Sequence, residues 1–153
     1  MIGMNLIAMH DLLQRISDEV SDWPQVTAVP HRFGGTEFRF GQAEIGHIQL
    51  DGTLDVPYPM PVRNKLITEG IVEKHHFFED SAWVTFHVRA GNLERALWLL
   101  HLSYLRYALR HSKKVDGWDS PRAGSLLREL ERAAGPDLFP AMNLFCVRPV
   151  PPT

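Results

Sequence analysis

The stretch QVTAVPHRFGGTEFRFGQAEIGHIQL, residues 25–50, decides the fold. It contains three short runs, QVTAV, TEFRF and AEIGHIQL, divided by Gly34-Gly35 and by Gly41-Gln42. Runs of this length and composition between such breaks read as strands joined by tight turns, here a three-stranded antiparallel meander. Side chains alternate along a strand, so Phe38 and Phe40 share one face and Glu37 and Arg39 the other. The third run separates Ile48 and Leu50 from His47 and Gln49 in the same way. One face of the sheet is therefore apolar and the other polar.

Upstream, Met9, Leu12, Leu13, Ile16 and Val20 recur at helical spacing, with Asn5 as a cap and Trp23-Pro24 as the stop. The charges Asp11, Arg15, Asp18, Glu19 and Asp22 make a solvated face for this helix. Downstream, Asp51-Gly52 opens a loop that Pro57, Pro59 and Pro61 hold extended, until Pro61 starts a short helix ending at Gly70. Ile71 to Phe78 and Ala82 to Val88 read as a hairpin that extends the sheet. Leu93, Ala96, Leu97, Leu100, Tyr104, Tyr107 and Ala108 form the stripe of a long helix that breaks after His111. A further helix, capped by Ser120 with Pro121 in its first turn, ends near Gly135. The apolar tail LFPAMNLFCVRPVPPT, residues 138–153, should dock on the core or on a second subunit, making a homodimer. Local pairing with segregated helices predicts an α+β fold, a mostly antiparallel five-stranded sheet with helices packed on one face. Residues 1–112 form the principal α+β domain, and 113–153 a C-terminal helix and docking tail of the same globular unit.

The chain of 153 residues, 44% hydrophobic and 22% charged, is sized for one globular domain. Its net charge of -2 supplies no general attraction to phosphate backbones, so nucleic acid is not expected as a partner. The single cysteine, Cys146, cannot form an internal disulfide, and the apolar start MIGMNLIAM lacks both a basic flank and the length of a span. A cytoplasmic protein without membrane contact is the expectation. No glycine-rich loop joins a strand to a helix as nucleotide folds require, and neither Ser81 nor Ser103 sits in a nucleophile elbow.

Eight histidines offer the chemistry. His10, His101 and His111 fall in helices; the others lie on strands or strand ends, where His31, His47, His75 or His76, and His87 could converge on the polar face with Glu37. Trp83, Thr85 and His87 share one side of their strand, whereas His75 and His76, as neighbours on a strand, point opposite ways. Aromatic residues with a few convergent polar groups suit a small-molecule pocket. No HxH, HxxxH or HxD spacing occurs within one element, so a bound metal is not expected. A histidine can instead serve as general base, with an arginine such as Arg32 or Arg63 holding the resulting anion.

The ordered series HRFGGTEFRFG (31–41), EIGHI (44–48), DG (51–52), DVP (55–57), HH (75–76), SAWVTF (81–86) and LSY (102–104) resembles the luciferase-domain family. The resemblance runs from about Pro24 to Tyr107. It implies relatedness to a fungal enzyme that oxidises an electron-rich hydroxypyrone with molecular oxygen, without flavin or metal, and to bacterial proteins of no settled activity. By motif position, His31, Arg32, Glu37, Glu44, His47, His75 and Trp83 carry over as pocket residues. The fungal enzyme has an amino-terminal membrane segment, which is not expected here. The resulting expectation is a small-molecule-binding domain, acting as a cofactor-independent, oxygen-dependent oxidoreductase on an enolic or aromatic compound. His47 would be the base, His31 or His75 would orient it, and Arg32 would stabilise the anion. Glu37, Glu44, Trp83, Thr85 and His87 would line the substrate site. The alternative is a non-catalytic ligand-binding or regulatory module.

Overall fold

Helical spacing folds Leu6–Ser21 into α1, with Met9, Leu12, Ile16 and Val20 buried along one stripe and the charged residues in solvent. The meander follows as β1 (Val26–Pro30), β2 (Thr36–Phe40) and β3 (Ala43–Ile48), paired antiparallel in chain order. The structure, a computed structural model, describes residues 6–31 and 34–143. Asn5, Arg32, Cys146 and the tail beyond Asn143 lie outside the described residues.

The sheet has six strands rather than five. The additional one, β4 (Thr53–Pro57), occupies the stretch expected to be a proline-rich loop. Asp51-Gly52 is a tight turn, in which the Gly52 N–H donates to Gln49 O at 3.0 Å and Gly52 takes φ 91°. β4 can carry a proline because Pro57 sits at its last position, where a missing N–H interrupts little of the ladder. Leu50, expected on the apolar face, is 69% exposed: β3 stops at Ile48 and alternation ends with it.

Next come α2 (Met60–Thr68), β5 (Glu73–Lys74) and β6 (Trp83–His87), and the strand order is β1-β2-β3-β4-β6-β5, every pair antiparallel. The expected hairpin exists, but its first strand is two residues long rather than Ile71 to Phe78. α3 (Leu93–Asp116) runs past His111, since Lys113 and Lys114 favour a helix C-terminus and the chain turns only at Gly117, φ 102°. α4 (Pro121–Asn143) changes direction at the expected stop, Gly135, φ 76°, and then resumes from Pro136.

The helices lie against one face of the sheet. Phe38, Phe40, Ile45, Leu54, Val56 and Val84 join one buried cluster with Ile16, Leu66, Leu100, Leu105, Leu130 and Met142 from all four helices. Two buried hydrogen bonds fix α3 to this arrangement: Ser103 Oγ donates to Ile45 O at 2.8 Å, and the Tyr58 hydroxyl donates to Leu99 O. Among the described residues no helix is long and apolar enough to cross a membrane. Among the described residues, the layering leaves the opposite face of the sheet, with its polar side chains, uncovered by helix.

Candidate functional site

The cross-strand register places Glu37 opposite His47, His47 opposite Asp55, Asp55 opposite Thr85, and Thr85 opposite Glu73. One polar row thus crosses five strands. Strict alternation would send Glu44 and His47, three residues apart, to opposite faces. The register of β2 against β3 slips between Phe38 and Arg39, so that Phe38 meets Gly46 while Arg39 meets Glu44. This bulge carries the extra residue Ile45 into the core and leaves Glu44 and His47 on the same polar face.

Asp55 is the centre of the site, and sequence reading missed it by placing it in a loop. Its carboxylate is fully buried. Oδ1 accepts the Thr85 hydroxyl at 2.7 Å, and Oδ2 lies 3.0 Å from His47 Nε2, 3.2 Å from His76 Nε2 and 3.6 Å from His75 Nε2. Burial pushes the Asp55 carboxyl up, but the hydrogen bonds from His47 and Thr85 outweigh it and hold the group below its ordinary value. The alternation of Thr53, Asp55 and Pro57 with Leu54 and Val56 was the available signal, masked by three nearby prolines.

His47 bridges two carboxylates, Asp55 at Nε2 and Glu44 at Nδ1. Burial alone would lower its pKa; the hydrogen bonds to Asp55 and Glu44, with their charges, raise it instead to about 9. At neutral pH His47 is an imidazolium donating from both nitrogens, which leaves it no lone pair with which to act as the expected general base. His31 stacks on its ring, centroids 4.3 Å apart, and Trp83 lies at 5.3 Å.

His75 and His76 were expected to diverge. They lie beyond the end of β5, where strand alternation no longer holds, and both turn Nε2 toward Asp55. His75 Nδ1 accepts the backbone N–H groups of Phe77 at 3.2 Å and Phe78 at 3.1 Å, which puts its single proton on Nε2. Burial also lowers its pKa, keeping the ring neutral. In His76 the bond to Asp55 holds the proton on Nε2 and leaves Nδ1 as the lone pair.

These groups line a cavity of about 530 Å³ with Phe77 and Phe78. Of the expected site residues, His31, Glu44, His47, His75 and Trp83 line it. Thr85 is buried behind it against Asp55. Glu37 instead pairs with Arg39, and the exposed His87 pairs with Glu73 at 3.0 Å, so neither lines the cavity. Arg63 is buried in α2, donates to Asn64 Oδ1 and Glu79 O, and does not line the cavity. A larger cavity, about 890 Å³, opens beside Arg15, Phe86 and Arg95 at the start of α3, but it holds no comparable cluster of titratable groups.

Two triads bring donor atoms within 4.8 Å of one another, His31 with Glu44 and His47, and Asp55 with His75 and His76. In each, the nitrogens that would bind a cation face carboxylate oxygens, His47 toward Glu44 and Asp55 and His75 toward Asp55. Metal binding at either triad would require its histidines to be neutral at the ligating nitrogen, so it would be coupled to proton release.

The fold and site define an α+β protein whose open sheet face carries a histidine pocket built on one buried carboxylate. Residues 42–103 match the family model described as Luciferase domain. The matched segment contains Glu44, His47, Asp55, His75, His76 and Trp83, and excludes His31. No curated protein and no solved structure matches the chain.

Proposed function

We propose that the pocket binds a planar enolic or phenolic compound, removes a proton from it, and lets the resulting carbanion react with molecular oxygen without a cofactor. The observation that carries this reading is the pair made by His76 and buried Asp55, a base whose tautomer is set by a carboxylate. Asp55 also stabilises the imidazolium that forms once His76 Nδ1 has taken the proton, the logic by which a carboxylate supports a catalytic histidine elsewhere. His47, locked between Glu44 and Asp55, serves as a rigid floor, and its stack with His31 and the neighbouring Trp83 provides flat surfaces for a planar ring.

The step balances as follows. The substrate loses its proton to His76, the carbanion forms a carbon–oxygen bond to oxygen, and oxygen is reduced by two electrons to a peroxide anion. His76 returns the proton, giving a hydroperoxide. The hydroxypyrone implied by the family resemblance is an electron-rich compound of this class.

Oxygen uptake with a panel of hydroxypyrones and cyclic 1,3-diketones tests the reading. The wild-type protein should consume oxygen, and His76→Gln should lower kcat by roughly 10²–10⁴ while substrate still binds. Undiminished turnover in His76→Gln would remove the proposed base. Binding without oxygen uptake by any member of the panel would favour the non-catalytic ligand-binding module.

A further inference from the structure

The cavity is graded from floor to mouth. Asp55 at the bottom is fully buried and the His76 side chain is 30% exposed, whereas Phe77 and Phe78 at the rim are 76% and 67% exposed. The two phenyl rings lie against the histidines: Phe77 is 4.3 Å from the His76 ring and Phe78 stacks on His75 at 5.4 Å. The backbone N–H groups of both phenylalanines bind His75 Nδ1. The segment is thus tied to the polar floor by its backbone while its apolar side chains stand in water. Isolated exposed apolar residues are ordinary, but two adjoining rings at the rim of a polar pocket are placed to meet something that leaves it.

A second groove of about 570 Å³ continues from the first, sharing His76, Phe77 and Phe78, with Glu79, Asp80 and Ser81 along the rest of its wall. Two carboxylates with no lysine or arginine in that wall disfavour an anionic end group. A cavity of about 530 Å³ also lies within the roughly 300–1,000 Å³ range of sites that hold drug-sized ligands.

We propose that the ligand is an amphiphile, with an ionisable enol or phenol head on the histidine floor and an uncharged apolar arm that leaves over Phe77 and Phe78. The head group rests on the function proposed above; the arm does not.

Calorimetric titration with phenol and 4-alkylphenols of increasing chain length tests the arm, with n-alkanols of the same lengths as a series lacking the acidic head. In the wild-type protein each added methylene should tighten binding, by up to about fourfold where it is fully buried. The double variant F77A/F78A should flatten that dependence in both series, the change in affinity per methylene being the quantity read rather than the affinity for phenol itself. Both positions are exposed, so the fold is not at stake. A terminal carboxylate on the alkyl chain should cancel the gain. Equal chain-length dependence in the wild type and F77A/F78A would overturn the proposal. So would loss of self-association in F77A/F78A without any change in that dependence, which would assign the rings to a contact between copies. If the alkanol series responds to chain length and phenol binds no better than an alcohol of equal size, the arm stands and the head-group reading fails.

Discussion

The protonation of His47 makes a quantitative prediction about stability. In the unfolded chain its pKa is the ordinary 6.5, and in the folded protein it is about 9, because Asp55 and Glu44 both accept from the ring. A histidine whose pKa is raised by folding stabilises the native state fully below pH 6.5 and loses that contribution as pH rises through 9. At about 1.4 kcal/mol per pH unit, the whole effect is about 3 kcal/mol. Asp55 is ionised throughout this window, its carboxyl being held low by the same contacts, so the interaction is counted once. Urea unfolding of the wild type and of His47→Gln at pH 6 and pH 10 reads the difference, and ionisations common to both proteins cancel. The wild type should lose about 3 kcal/mol more than the variant over this range, and the His47 ring resonances should titrate near 9. Parallel stability curves, or a His47 ring titrating near 6.5, would refute the assignment of a doubly bonded imidazolium.

Asp55→Asn keeps the shape but removes the charge on which the three histidines converge. It should cost about 3 kcal/mol at neutral pH, the scale for breaking a buried charge pair, and should lower the His47 pKa; a loss below about 1 kcal/mol in urea unfolding would contradict the central place given to this carboxylate. Gly35→Ala tests the turn that positions His31. Gly35 has φ 81°, its carbonyl accepts the His31 N–H at 3.1 Å, and a Cβ there would stand 2.1 Å from Ile48 O. The substitution should destabilise by about 2 kcal/mol or more and weaken binding of 4-alkylphenols by displacing His31, whereas wild-type stability by thermal unfolding would show that the turn is not so constrained.

The order and type of most elements were legible because they depend on neighbours in the chain. Alternation in TEFRF and the 3.6-residue stripes of α1 and α3 require no knowledge of the rest of the molecule. The sequence by itself therefore determined an α+β layering with one apolar and one polar sheet face, and placed His31, His47, His75 and Trp83 among the candidates for the polar side. Three features of the site were decided only by tertiary structure, each where a local rule stops applying. Asp55 lies on a strand because β3 and β6 flank it and supply its pairing, which overrides the loop signal of the prolines. Glu44 and His47 share a face because the pairing of β3 with β2 admits a bulge, and periodicity cannot reveal a register slip against a partner strand. His75 and His76 both reach Asp55 because the chain leaves β5 just before them, so that packing, rather than alternation, sets their directions. A buried carboxylate is stable only when its partners are already in place, and those partners come from segments up to thirty residues away.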